Sequence, residues 1–401
     1  MKSVYEKKEN CYGCTACKRI CPTKAIEMER DREGFLYPSI NQSLCKDCGF
    51  CQKVCPIQNI VMRNNRFPEP QVFIVIQKDE KIRMNSTSGG VYSAMSEYAL
   101  KVSNVVYGVK FDEEFNVQHA RATNDTEITE FRGSKYVQSN IKDIFMQIQK
   151  DLRNGLGVLF TGTGCQVVGL EKFLCDTKTD ISKLITNDII CHGVPSPLLW
   201  EDYLKFIQKR DSLVSYNFRY KEKGWHGYNI RSGFNKGKEK INTSDIKVFA
   251  NLFRSDLILR PSCYHCRFAN LQRTSDITIG DFWGIEKIRP DLNDNRGVSL
   301  VMVNTAKGRG ILESIKENLY IWQSNTNDCL QPSLQHPTQK PKERDLFWQD
   351  YYKYGFEYIA KKYAGYNLKD QSKTIIKSLL QRMGLIEYVG RLINSISRIK
   401  R

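Results

Sequence analysis

Eight cysteines in the first 55 residues constrain this 401-residue chain more than any other feature. Cys11, Cys14, Cys17 and Cys21 recur as Cys45, Cys48, Cys51 and Cys55, each pair 34 positions apart, and both runs end in Cys-Pro. Two residues between successive cysteines let the backbone curl so that three thiolates reach three corners of a cube. The proline turns the fourth outward, toward a neighbouring cube. The spacing therefore predicts two [4Fe–4S] clusters, one on Cys11, Cys14, Cys17 and Cys55, the other on Cys21, Cys45, Cys48 and Cys51. Zinc takes four ligands in two pairs rather than two duplicated groups of four. Disulfides need an oxidising compartment. So short a segment buries little apolar surface, and the clusters are expected to act as its core. Between the runs, residues 26–40 alternate around Gly34, the pattern of a short hairpin.

The formal charge of +17 counts every cysteine as neutral. Two clusters at about −2 each reduce it to about +13. The remaining excess is spread along the chain without a block of like charges, and no groove-reading motif accompanies it. No specific nucleic-acid partner is expected; an acidic electron carrier or an anionic ligand suits such a surface better. No apolar run reaches membrane-span length, and the first residues lack a signal-peptide stretch, so the expected location is cytoplasmic.

Past a polar, Pro-containing linker at 63–70, strand-like and helix-like stretches alternate. QVFIVI, NVVYGVKF, GVLFTG and LITNDIIC read as strands, separated by helical patterns such as GGVYSAMSEYALKV and IKDIFMQIQKDLRNG. The expected architecture is an α+β two-cluster domain over 1–62, then an α/β domain over 71–340 with a largely parallel sheet. A basic helical tail over 341–401 follows. Ile376, Leu379, Leu380, Met383, Ile386, Val389, Ile393 and Ile396 share one helical stripe in that tail. The stripe suits packing on its own domain, a partner, or a peripheral contact with an anionic membrane.

Six cysteines remain. Cys175 and Cys329 read as small buried apolar residues. Cys165 follows a strand in TGTGCQ, Cys191 ends another before His192 and Gly193, and Cys263 and Cys266 form a CYHC pair. These segments are expected to meet at one edge of the sheet; from spacing alone a cluster, zinc and scattered structural cysteines all stay open.

Several separated stretches, STSGGVYSAMSEYAL, RGSKYVQSN, GTGCQ, ICHG, CYHC and SDITIGDFWG, carry a resemblance over residues 71–320. In their order and spacing the chain resembles the β subunit family of coenzyme F420 hydrogenase and dehydrogenase, to which the plastid 7-hydroxymethyl chlorophyll a reductase is related. The first 62 residues look like a bacterial-type two-cluster ferredoxin. The resemblance implies a flavoprotein core that binds FAD, and a third [4Fe–4S] cluster on Cys165, Cys191, Cys263 and Cys266.

For the flavin, Ser88, Gly89 and Gly90 precede a helix whose N–H groups suit a phosphate. Thr161, Gly162, Thr163 and Gly164 form a second small-residue loop at a strand end, and Lys135 is a candidate cation beside phosphate or ring. No G-x-G-x-x-G fingerprint supports NAD(P). His192 is the candidate proton donor, and Asp281, with Trp283, a candidate pocket residue. The expected function is an FAD- and iron–sulfur-dependent oxidoreductase passing electrons between a ferredoxin-like or F420-like carrier and a substrate. Two other functions stay open: an electron-transfer subunit without its own substrate site, and a redox accessory enzyme of cell-surface polysaccharide assembly.

Overall fold

A computed structural model describes residues 4–59, 65–209 and 211–366. By internal contacts the chain divides into two compact units. One comprises Met1–Glu201, Asn217–Asn229 and Ile258–Lys340; the other comprises Asp202–Tyr216, Ile230–Leu257 and Pro341–Arg401.

The first unit opens with a hairpin of β1 (Ile26–Arg30) and β2 (Leu36–Ile40), paired antiparallel around Gly34 at φ 84°. Two short helices, Ala16–Ile20 and Phe50–Lys53, carry the third cysteine of each run, Cys17 and Cys51. Beyond them lies an eight-stranded sheet. Its members are β3 (Arg66–Gln77), β4 (Val105–Phe111), β5 (Val117–Ala122), β6 (Val158–Thr163), β7 (Leu184–Ile189), β11 (Ile277–Asp281), β12 (Ser299–Thr305) and β13 (Leu319–Ser324). The order is β13-β3-β12-β11-β7-β6-β4-β5. The expected parallel sheet forms its centre, where β4, β6, β7 and β11 run parallel. Antiparallel pairs flank it: β4 with β5 on one side, and β11-β12-β3-β13 on the other. The β4–β5 pair is joined by a loop closed on Asp112, a short connection that antiparallel neighbours permit and parallel ones do not.

Alternation along the strands sorts side chains to two faces. Val105 and Tyr107 of β4, with Val158 and Phe160 of β6, pack with the helices Ile144–Arg153 and Gly164–Asp176 and with Cys14, Ala16, Cys17 and Val54. Val106 and Leu159 point the other way, to a layer formed by the helices Val91–Lys101 and Ala306–Ile315. The N-terminal cysteine segment is thus part of the packed layer on one face. Residues 66–70, expected as linker, begin β3: Pro68 and Pro70 fall in the stretch between Arg66 and Gln71 where the ladder makes no paired register, so their missing N–H groups break nothing.

The second unit holds a small sheet, ordered β10 (Glu239–Ile241), β9 (Arg231–Phe234), β8 (Leu213–Asn217), and the helices Val248–Arg254, Arg344–Tyr354 and Phe356–Tyr363. Tyr203, fully buried, shares a hydroxyl contact of 3.0 Å with Tyr216, and its ring lies tilted against those of Phe249 and Phe356. The apolar stripe 376–396 lies outside the described residues. Among the described residues no helix is long and apolar enough to cross a membrane.

Candidate functional site

The first cysteine run curls because two residues between its cysteines hold left-handed backbone, Gly13 at φ 69° and Thr15 at φ 66°. Cys11, Cys14 and Cys17 then line one cavity, and Cys55 of the second run lines it with them, together with Met28, Pro38 and Ile57. Cys14 and Cys17 are buried. Loss of water pushes both thiols above their usual range, and the neighbouring thiols add to the effect. In the second run Cys51 lies within electrostatic reach of Cys45 and Cys48, and Cys48 is exposed. Cys21 is only lightly shielded; against that burial, hydrogen bonds involving Thr23 and Ala25, whose N–H donates to Sγ at 3.3 Å, hold its thiol below the ordinary value.

The dispersed cysteines meet at the carboxyl edge of the parallel strands. Cys165 is in the first turn of Gly164–Asp176, directly after β6; Cys191 follows β7; Cys263 lies on the turn Pro261–His265 and Cys266 just after it. All four line a second cavity with Tyr12, His192, Arg260, Phe268 and Arg273. Burial, reinforced by the other thiols, pushes Cys165 up to about 11 and Cys263 up to about 12, and Cys191 well above the usual value. The sulfurs accept backbone N–H groups: Val194 donates to Cys263 Sγ and Phe268 to Cys266 Sγ, both at 3.4 Å. Four thiols around a cavity, with amides and two buried arginines beside them, match the donor chemistry of an iron–sulfur cluster, whose thiolates lose their protons on binding iron. Among the described residues no three His, Cys, Asp or Glu side chains are gathered to hold a single metal ion.

The two cavities are close neighbours. Gly169 stands one helical turn after Cys165, and a Cβ built on it would meet Cys14 Cβ at 2.8 Å and Sγ at 3.0 Å. Tyr12 lines both cavities, its ring 5.5 Å from that of Phe268. Arg260, 1% exposed, lines the second cavity and reaches Cys11 of the first. The sequence reading missed Tyr12, Gly169, Arg260 and Arg273. Arg260 alone left a trace, as a charge closing the apolar run 257–259.

The residues named for a flavin lie at the same edge but are already engaged. Ser88 Oγ donates to Val298 O, and Gly89 N–H to Ser299 Oγ at 2.9 Å. A Cβ on Gly89 would meet Val75 O at 2.3 Å, so this glycine serves close packing onto the sheet. Gly90, at φ 94°, begins Val91–Lys101. Thr161 binds Asn187 and His119, and Thr163 caps its helix through a reciprocal pair with Gln166. Gly162 sits in the β6–β7 ladder opposite Asp188, and Gly164 packs on Asp188 and Phe268. Lys135 donates to Glu130 O and Arg132 O, and burial pulls its pKa down to about 7. Thr163 and Gly164 also line the second cavity.

His192 is exposed at the rim of the second cavity, where its carbonyl accepts Thr338 Oγ1 at 2.6 Å. Asp281 is held by Arg219 at 2.9 Å and by Trp225 Nε1 at 2.9 Å, which makes it an anchor of the Trp225–Trp283 stack. Cys329 is buried as expected, whereas Cys175 is exposed, since its place near the end of Gly164–Asp176 turns it off the core-facing side.

Three family matches run along the chain. Residues 10–60 match a 4Fe-4S dicluster domain, 72–145 the coenzyme F420 hydrogenase/dehydrogenase beta subunit N-terminal part, and 156–328 its C-terminal part. No curated protein matches the chain. Among solved structures, a chain of the F420-reducing [NiFe] hydrogenase complex from Methanosarcina barkeri is similar at 15% identity. The match covers 79% of this chain and 95% of that one, at a TM-score of 0.46, a likeness too distant to carry argument. The two beta-subunit matches together span more than half of the residues, in the expected order and after the dicluster segment. The chain belongs to the coenzyme F420 hydrogenase/dehydrogenase beta subunit family and carries a 4Fe-4S dicluster domain ahead of it.

Proposed function

We propose that the chain is an iron–sulfur oxidoreductase subunit that moves electrons between a carrier and a substrate, with three [4Fe–4S] clusters and FAD. The carrier would be ferredoxin-like or F420-like. The observation that carries this reading is the second cavity: Cys165, Cys191, Cys263 and Cys266 line it, and Gly169, one helical turn after Cys165, packs on Cys14. Cys11, Cys14, Cys17 and Cys55 would hold one cluster, Cys21, Cys45, Cys48 and Cys51 another, and the dispersed four the third.

Clusters supply single-electron exchange, and a flavin, when bound, supplies exchange of one electron or a pair. The chain's own groups prepare for that. Val194 and Phe268 direct N–H groups at sulfur, where negative charge collects. Tyr12 and Phe268 wall the second cavity with rings that keep water out. Arg273 pairs with buried Asp188 and also donates to Phe268 O, which fixes the loop carrying Cys266. The residues named for the flavin have intramolecular partners, so FAD rests on the family resemblance and on the position of the carboxyl edge, where ligands of such sheets gather. His192, at the rim, is the group we assign to proton delivery.

The engaged loops at Ser88–Gly90 and Thr161–Gly164 favour one second reading, an electron-transfer subunit with no substrate site of its own. Anaerobic purification with iron, sulfide and extracted-flavin assays tests both. About twelve irons with FAD supports the full reading. About twelve irons without flavin supports the electron-transfer subunit, and about eight irons overturns the third cluster.

A further inference from the structure

Arg260 is a fully buried cation with no carboxylate paired to it among the described residues. Its Nε donates to Cys11 O at 2.8 Å, Nη1 to Gln138 Oε1 at 3.0 Å and Nη2 to Leu36 O at 3.0 Å, all neutral acceptors. Among the described residues no Asp or Glu forms an ion pair with it. Its fourth contact is sulfur, Nη2 to Cys11 Sγ at 3.6 Å. The guanidinium lies over the rings of Tyr37, at 4.3 Å, and Phe35, at 5.4 Å. Gly13 makes room for it: a Cβ there would stand 2.8 Å from Nη1. Cys263, three residues on, and Cys165 feel the same charge from the other cavity.

A buried cation without a counter-ion is costly, and an anion beside it offsets that cost. Here the facing groups are thiols. We propose that Arg260 is a positioning residue for redox poise: its charge, set against Cys11, holds the reduction potential of the first-run set (Cys11, Cys14, Cys17, Cys55) above that of the second-run set (Cys21, Cys45, Cys48, Cys51). Added negative charge on the reduced cluster is stabilised by a nearby fixed cation, and hydrogen bonds to sulfur act in the same direction. The second-run set has no comparable arginine in contact with its sulfurs among the described residues, so the bias runs toward the first-run set. This rests on the iron–sulfur reading above.

The test uses the full chain, purified anaerobically, with EPR-monitored redox titration and iron analysis. Arg260→Gln removes the charge. Gln138→Glu keeps the arginine and sets a carboxylate where Gln138 Oε1 now accepts from it. Both are expected to shift the first-run midpoint to more negative potential while iron content stays at the wild-type level. Arg260→Lys, which keeps the charge, is expected to stay near wild type. Unmoved midpoints in Arg260→Gln and Gln138→Glu overturn the proposal, as does an Arg260→Lys midpoint as low as that of Arg260→Gln. Loss of iron from all three variants overturns it too, since Arg260 would then be a packing residue. A wild-type chain without iron–sulfur signals overturns the underlying reading as well, whereas unmoved midpoints on a fully loaded chain overturn only the role of Arg260.

Discussion

Cys14 and Cys48 occupy the same place in two copies of one motif, yet Cys14 is buried and Cys48 exposed. The copies share spacing, the terminal proline and the same 34-residue offset. What separates them is the neighbour. The first run lies against the helix Gly164–Asp176 and shares a packed layer with Phe145, Phe160 and Leu170. The second ends on a short helix whose Phe50 is 48% exposed. One motif therefore produces two environments: Cys14 and Cys17 are shielded from water and Cys14 stands against the helix that carries Cys165, whereas Cys48 is open to solvent.

The comparison breaks most readily at the ligands. Cys14→Ser is expected to lower iron from about twelve to about eight per chain and to stop reduction of the dispersed set by an external one-electron donor. Cys191→Ser is expected to remove about four irons as well and to leave both N-terminal signals intact. Iron analysis with EPR checks both, and loss of an N-terminal signal in Cys191→Ser would refute the grouping.

Gly169→Leu comes next. It forces side-chain atoms into Cys14, an overpacking cost of about 1–3 kcal/mol. Thermal unfolding is expected to fall accordingly, with only the first-run EPR signal altered; equal change in both runs would show that the helix does not distinguish them. Controlled exposure to air should then destroy the second-run signal before the first, because Cys48 is open to solvent. Decay of the first-run signal ahead of the second would overturn that contrast. The smallest effect is expected for Phe50→Ser, a surface change worth within about 0.5 kcal/mol in denaturant titration.

Much of this site was legible in the sequence and part was not. The dicluster segment, matched over residues 10–60, could be read because its motif is local: the chain need only curl over a few residues. The strands QVFIVI, NVVYGVKF, GVLFTG and LITNDIIC appear as β3, β4, β6 and β7 because their apolar runs are short and bounded. The convergence of Cys165, Cys191, Cys263 and Cys266 was suggested by their places at strand ends, and the cavity they line lies there. The close packing of Gly89 on Val75 and Ser299 was not legible, since a glycine needed for close packing reads like one needed for a phosphate. The ion pair of Asp281, a candidate pocket residue, was not legible, because its partner Arg219 lies 62 residues away.

By itself the sequence determined that thiols in two duplicated runs face iron, that an α/β sheet follows, and where that sheet's strands lie. Tertiary structure decided that Cys14 is buried and Cys48 exposed, that Cys14 sits on Gly169, and that Arg260 reaches across 249 residues to Cys11. The physical reason is range. Curling, alternation and turn formation depend on neighbours in the chain, whereas burial, charge balance and the meeting of distant strand ends depend on what the fold brings beside them.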